Sequence, residues 1–374
     1  MKEGWEVKKL GELVSIKTGK LDSNAMVQGG KYPFFTCSRE IFAIDEYAFD
    51  CEAILLAGNN ASGDFNVKYY NGKFNAYQRT YVITIINSNK LLYGYLFQQL
   101  VNYLKKFKEQ SVGANTKFLK IGMIQGMEIP IPPLTEQKKI VAILDQAFEA
   151  IAKAKANAEQ NLKNAKELFE SYLNEIFENK GESWEEKKLG EVILYDKKQK
   201  LHTNLPYVGL ENIESNSGKF LGSKEPQVVK SSTFYFNNSH VLYGRLRPYL
   251  NKVLLPDFEG HCSTEIFPIK VEKQILREFL FYWLIATNTV KAIDETWTGA
   301  RMPRANMNKV LCFDFYFPKS LEQQTQIVEK LDKLRAETQK LEAIYKQKIE
   351  DLEELKKSIL QKAFAGELKT EIVV

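Results

Sequence analysis

Cysteine and histidine, the residues that build most metal and nucleophile chemistry, are scarce in this 374-residue chain. The four cysteines (Cys37, Cys51, Cys262, Cys312) stand far apart with no Cys-x-x-Cys, which argues against zinc and makes a reduced cytoplasmic protein the expectation. Only three histidines occur, His202, His240 and His261, and His261 beside Cys262 reads as structural rather than as a ligand. No stretch reaches the roughly 18 uncharged apolar residues of a membrane span, so no membrane association is expected. The opening Met1-Lys2-Glu3-Gly4-Trp5 has no apolar run of the kind that leads a chain to export. There is no G-x-x-x-x-G-K-[S/T] phosphate loop. The nearest approach to the [Asp/Asn]-Pro-Pro-aromatic tetrad of an amino-methyltransferase, Ile131-Pro132-Pro133-Leu134, lacks both its polar and its aromatic end. Pro256-Asp257 is not followed by an acidic-x-Lys arrangement, which leaves a metal-dependent nuclease core unsupported. The net charge of +5 permits nucleic-acid binding without arguing for it.

What the chain has in abundance is itself. Trp5-Glu6-Val7-Lys8-Lys9-Leu10-Gly11-Glu12 returns as Trp184-Glu185-Glu186-Lys187-Lys188-Leu189-Gly190-Glu191, a shift of 179. Leu134-Thr135-Glu136-Gln137-Lys138-Lys139-Ile140-Val141 returns as Leu321-Glu322-Gln323-Gln324-Thr325-Gln326-Ile327-Val328, a shift of 187. Two matched blocks in the same order mean a tandem duplication with a net insertion of eight residues inside the second globular half. Because the halves are copies, an active site that depended on histidines found only in the second would be odd.

After each second block runs a helix. Ile140, Leu144, Ala147, Ile151, Ala154, Ala158, Asn161, Ala165, Leu168 and Tyr172 follow steps of four and three. Ile327, Leu331, Leu334, Thr338, Leu341, Tyr345, Lys348, Leu352, Leu355 and Ile359 repeat them 187 residues later. A heptad seam without Gly or Pro predicts two helices of about 44 residues, roughly 65 Å each. Such a rod buries its stripe only against another long helix. Alanines in the first seam (Ala147, Ala154, Ala158, Ala165) face bulk in the second (Leu334, Leu341, Tyr345, Leu352), which favours an antiparallel pair of the two copies over a parallel zipper of each. Proline precedes both helices (Ile129-Pro130-Ile131-Pro132-Pro133; Phe315-Tyr316-Phe317-Pro318), and Thr135 followed by Lys138 leaves the cap open.

The order is therefore globule (1–133), long helix (134–179), globule (180–318), then long helix and tail (319–374). Both globules read as α+β. Strand runs include Tyr81–Ile86, Val253–Leu255 and Ile266–Ile269, turn signals Asn71-Gly72 and Ser217-Gly218, and helical pieces Leu91–Phe107 and Ile275–Ile285. Residues 1–133 hold 16 basic against 12 acidic side chains and residues 180–318 hold 19 against 16, so the positive excess sits on the globules. Three loop groups carry reader chemistry. Gly58–Asp64 contains Asn60 and Ser62, followed by Lys68, Tyr77 and Arg79; Tyr243–Pro248 contains Arg245 and Arg247, followed by Lys252 and Ser263-Thr264-Glu265. Gly113–Lys117, with Asn115 and Lys117, matches Gly299–Arg304, with Arg301 and Arg304, at a shift of 186. Arginine reads guanine bidentately, Asn and Gln read adenine, and Lys or Ser anchors phosphate, although a Gly-Asn turn is also simply a turn.

The blocks Trp5–Glu12, Ile129–Asp145, Trp184–Glu191 and Phe315–Asp332 resemble those of the specificity subunits of type I restriction-modification systems; in the last, Lys319-Ser320 replaces the second proline and Gln323 stands where the first copy has Glu136. The resemblance implies that each globule is a target-recognition domain reading half of a split site in double-stranded DNA. It implies that the antiparallel helices fix the spacer and dock two methyltransferase subunits, which would carry S-adenosylmethionine and flip an adenine in each half-site. Restriction subunits supplying ATP and Mg would join them, and the chain itself would hold no cofactor and catalyse nothing. DNA contacts would then fall on Asn60, Ser62, Lys68, Tyr77, Arg79, Asn115, Lys117, Arg245, Arg247, Lys252, Arg301 and Arg304. A different class, a coiled-coil tether with two protein-binding heads, explains the helices but not the loops with paired Arg and Lys.

Overall fold

The computed structural model describes residues 3–199, 204–299 and 301–368. The chain divides into two compact units: Met1–Ala158 with Gln347–Val374, and Glu159–Lys346. Both crossings fall inside the long helices, Leu134–Glu178 and Leu321–Ala365. Among the described residues no helix is long and apolar enough to cross a membrane.

In the first unit a six-stranded sheet runs in the order Val14–Thr18, Thr80–Ile85, Phe49–Ala57, Val67–Ala76, Tyr32–Phe35, Phe42–Ile44. Ile54, Leu56 and Ile83 face helix Tyr93–Gln110, while Leu55, Phe74 and Val82 form a separate cluster with Phe35. That is the period-two alternation of strands buried on both faces. Asn71-Gly72 is not a turn: both residues lie inside the ten-residue strand, Gly72 opposite Cys51 and Asn71 opposite Glu52. Gly72 takes a positive φ of 133° there, so the glycine bends a continuous strand instead of ending it. Ser217-Gly218 does turn the chain, with Gly218 at φ 62°.

The second unit has a four-stranded sheet ordered Ile193–Tyr195, Ile266–Val271, His240–Gly244, Val253–Leu254, and a three-stranded one ordered Tyr207–Val208, Gly260–Ser263, Thr233–Phe236. Helix Arg277–Ile285 buries Phe279 through Ile285, nearly every side chain it has. It is apolar all round because it is enclosed all round.

The two repeated blocks meet in each unit. Strand Glu6–Lys9 of the first block pairs antiparallel with Glu128–Ile131, the proline-containing strand before the first long helix. Trp184–Lys188 pairs in the same way with Asp314–Pro318. Just beyond, Gln137 and Gln324 are fully buried and make the same bonds. Gln137 accepts from the Leu92 N–H (2.9 Å) and donates to the carbonyls of Lys90 (2.8 Å) and Pro132 (2.9 Å). Gln324 accepts from Leu276 (2.9 Å) and donates to Gln274 (2.9 Å) and Pro318 (2.9 Å). Each glutamine thus satisfies the backbone where a shorter helix begins and fastens it to the start of the long one. Gln137→Ala or Gln324→Ala strands one N–H and two carbonyls and is expected to cost about 2–4 kcal/mol, read as a lower urea midpoint. A loss no larger than that of the exposed Gln146→Ala would show the clasp to be idle.

The long helices run antiparallel. In the first unit Ile140 and Leu144 share a core with Leu360, Ala363 and Phe364; further along, Lys356 Nζ lies 5.1 Å from the ring centre of Phe148 and Lys155 pairs with Glu353. In the second unit Leu173 shares a core with Val328 and Leu331. Of the seam, Ile140, Leu144, Ile151, Ala158 and Leu331 are buried, while Ala147, Ala154, Ile327, Leu334, Tyr345 and Leu352 are half-buried. Leu341 is exposed, and the buried neighbour is Thr338, whose hydroxyl donates to the carbonyl of Leu334. Late in each helix one row of the stripe slips by one residue, while the other keeps Ala165 buried and Tyr172, Leu352 and Ile359 half-buried. Asn161 and Leu168 are exposed while Leu162 and Phe169 turn inward; Lys348 and Leu355 are exposed while Ile349 and Lys356 turn inward. A helix of 3.6 residues per turn drifts about 20° per heptad against a seven-residue repeat, so after three heptads the next residue along faces the partner better.

Candidate nucleic-acid interface

In the first unit the backbone joins two of the loops singled out above. Asn59 pairs with Phe118 and Asn60 with Lys117, and the Leu119 N–H donates to the Gly58 carbonyl at 2.9 Å. Asn60 spends its side-chain oxygen inside the loop, accepting from the Ser62 N–H (2.9 Å), the Ser62 hydroxyl (3.0 Å) and the Asp64 N–H (3.0 Å). This is the side-chain turn that Asn makes so readily. Gly113 is needed at its position: its φ is 111°, and a β-carbon would stand 2.0 Å from the Thr116 carbonyl oxygen. Ser62, Arg79 and Asn115 are exposed; Tyr77 and Lys117 are half-buried. The Gly58 N–H donates to the Arg79 carbonyl at 2.9 Å, which brings the third loop to the same place.

The second unit repeats the arrangement. Leu246 and Thr298 both bridge to Arg304, the Arg247 N–H donates to Pro303 O (2.7 Å), and the Ala305 N–H donates to Arg245 O (2.9 Å). The Arg245 N–H donates to Glu265 O at 2.9 Å. Gly58, Leu119 and Arg79 in the first unit therefore correspond, bond for bond, to Arg245, Ala305 and Glu265 in the second, one repeat length away. Arg247 holds a left-handed backbone, φ 51° and ψ 66°, which a side chain with a β-carbon adopts at a cost of about 1 kcal/mol or more. Its N–H bond to Pro303 and its carbonyl bond from Leu250 (2.8 Å) keep it there, and its side chain is exposed.

The cations of these loops fall into two groups. Lys68 is half-buried and its ammonium donates to the carbonyl of Ser38 and to Asn66 Oδ1 (2.8 Å); burial pushes its pKa down. Lys252 donates to the carbonyls of Leu210 (2.6 Å) and Ile213 (2.8 Å). Arg304 and Arg245 are tied to Glu265. Arg79, Arg247 and Arg301 are exposed and carry no ion pair among the described residues.

Sequence reasoning passed over several neighbours. Trp297 (52% exposed), Tyr249 (52%) and Met302 (46%) flank the arginine loops of the second unit and present large apolar surface to solvent. The clue was available, a tryptophan two residues before Gly299. Glu265 drew notice only as the end of Ser263-Thr264-Glu265. His261 is buried, its ring nitrogens meeting Thr233 Oγ1 (3.1 Å) and Gln227 O (2.9 Å), and buried His240 sits against Asp196 at 3.5 Å and Asn237 at 2.8 Å. His202 lies outside the described residues. No group of three or more His, Cys, Asp and Glu placed to hold a metal occurs among the described residues.

Two α+β units built on one repeat, each with the same strand pair leading into a long helix and each with its loops joined by the same backbone bonds, define a class. The chain belongs to the family of type I restriction modification DNA specificity domains, whose model matches residues 2–163 and again 181–351. It is 30% identical over 402 aligned residues to the type I restriction enzyme EcoDI specificity subunit of Escherichia coli, covering 97% of this chain and 88% of that one. Among solved structures, a chain from work on complex assembly and conformational transition of the type I R-M system superposes with a TM-score of 0.78 at 17% identity, covering 98% of this chain and 99% of that one. The HsdS subunit from Thermoanaerobacter tengcongensis matches with a TM-score of 0.57 at 18% identity over 98% of both chains. These two likenesses bear on the fold.

Proposed function

We propose that the chain is the DNA-reading subunit of a type I restriction-modification complex, each unit reading one half of a bipartite duplex site. The observation that carries this reading is the pair of stitched loop groups, placed at equivalent bonds in the two units, with exposed guanidiniums of Arg79, Arg247 and Arg301 on them. Exposed arginine beside Asn, Ser and aromatic side chains is the equipment for phosphate anchoring and base-edge reading. Asn115, Ser62 and Lys117 complete the surface in the first unit. Two methyltransferase subunits dock on the shared helices, bring S-adenosylmethionine, and modify an adenine in each half-site. Restriction subunits add ATP and Mg. The chain supplies address, not chemistry.

Binding of the purified chain to random-sequence duplex tests the reading directly. Affinity is expected to fall steeply between roughly 50 and 200 mM salt, with each neutralised phosphate contributing about 0.9 to the log–log slope. A flat dependence, or no binding, would favour a protein tether instead. Co-expression with the neighbouring methyltransferase and mapping of methylated adenines then gives the site itself.

A further inference from the structure

The second unit carries four arginines on its paired loops, and a single carboxylate holds two of them. Arg304 donates from Nε to both oxygens of Glu265 (2.9 and 3.1 Å) and from Nη2 to Oε1 (2.8 Å). Its Nη1 donates to the Met302 carbonyl at 3.2 Å. Arg245 donates from Nε to Oε2 (3.1 Å) and lays its guanidinium over the Phe267 ring, 5.1 Å from the centre. The backbone of Glu265 is fixed as well, its N–H given to Ser263 Oγ (3.3 Å) and its carbonyl taken by the Arg245 N–H. The Glu265 side chain is only 22% exposed. Burial alone would raise its pKa, but the guanidiniums of Arg304 and Arg245 together outweigh that and hold the carboxyl below its ordinary value. It stays ionised at neutral pH.

The same position in the first unit has the opposite charge. Arg79 offers its carbonyl to the Gly58 N–H there, as Glu265 does to the Arg245 N–H in the second. Where the first unit has a glycine and an exposed cation, the second has an arginine and the carboxylate that neutralises it. A duplicated frame has been given two different electrostatic contents at one site.

A guanidinium binds a carboxylate and a phosphate with the same fork geometry. Left free, Arg245 and Arg304 would meet phosphate on any duplex, whatever its sequence, because backbone contacts carry no base information. We propose that Glu265 is a specificity-determining residue of the second half-site: it keeps Arg245 and Arg304 off the phosphate backbone, so that the reading cations of this loop pair are Arg247 and Arg301. The carboxylate also repels phosphate itself, which suppresses unspecific docking at that spot. This rests on the DNA-reading function proposed above, and it makes a prediction whose sign a merely structural salt bridge would not produce.

Glu265→Gln in the full-length chain is expected to bind random-sequence duplex more tightly, with a log–log salt slope steeper by about 0.9 for each guanidinium released to phosphate. Discrimination against duplexes scrambled in the second half-site should fall, and discrimination at the first should stay as it is. An unchanged or shallower slope for a folded Glu265→Gln would overturn the proposal. Arg304→Gln provides a second test that does not depend on how the first variant folds. A masked arginine adds nothing to random-duplex binding, so its slope should match the unaltered chain. A slope lower by about 0.9 would mean that Arg304 already touches phosphate and that Glu265 masks nothing. Failure of the unaltered chain to bind duplex at all would strike the DNA-reading function instead.

Discussion

Adding one heptad to each long helix, after Ala158 and after Lys346, is expected to lengthen the spacer between methylated half-sites by about three base pairs. The points are chosen because both crossings between the units fall there, inside Leu134–Glu178 and Leu321–Ala365. They are also close to opposite one another, as the pairing of Lys155 with Glu353 shows. Seven residues add about 10 Å of helix and turn the apolar stripe by only about 20°, so the seam closes again on both sides of the insertion. Inserting into one helix alone would break that register and should cost stability instead of changing the site. Bivalent reading gains affinity only when the two readers are held at a fixed distance, so the altered chain should prefer the longer spacer and lose the old one. Mapping methylated adenines with the altered chain and its methyltransferase reads the outcome. A spacer that does not change would end the idea that the helices measure DNA.

Why this architecture could be read in a single sequence is itself physical. A heptad stripe with no Gly or Pro has one solution, a long helix with a long partner; the first helix begins directly after Pro133, and the second three residues beyond Pro318. The strand runs at Tyr81–Ile86 and Ile266–Ile269 were legible because β-branched and aromatic residues in short runs pack on pleated surface; the strands observed are Thr80–Ile85 and Ile266–Val271. What failed was local evidence overruled by tertiary context. Asn71-Gly72 has the composition of a hairpin turn, yet eight paired residues of a neighbouring strand, Phe49 to Leu56, hold it extended. Not legible either was how Lys68 and Lys252 are held: their ammoniums donate to carbonyls a few tens of residues away. No pattern in one chain announces such a bond. The Gln137 and Gln324 clasps give the repeated Leu-x-[Glu/Gln]-Gln block a structural reason. Its last residue is buried with three fixed partners, whereas its neighbours Lys138 and Thr325 are exposed.

Arg247→Gly combined with Arg301→Ala is expected to abolish reading of the second half-site while leaving the first intact. Glycine is the right replacement at 247, because the left-handed backbone there suits it and the turn onto Pro248 should survive the loss of the side chain. Alanine would remove the guanidinium and keep the strain, mixing two effects. Arg301 sits in the loop after Trp297, and its exposed side chain has no ion pair among the described residues, so its truncation leaves nothing buried without a partner. If each arginine makes a true base contact, each substitution should cost about 1–3 kcal/mol at its half-site, and the pair approaches the affinity for random sequence there. Phosphate anchors would behave differently: the salt slope would drop by about 0.9 per residue and every sequence would weaken alike. Arg245→Ala offers the contrast, since its guanidinium lies on Phe267 and against Glu265; its loss should lower the melting temperature of the second unit more than it alters base preference. Equal losses at both half-sites from the double variant would mean that the two units do not read separately. The duplicated loop pairs would then form a single surface, and one-unit, one-half-site recognition would have to be abandoned.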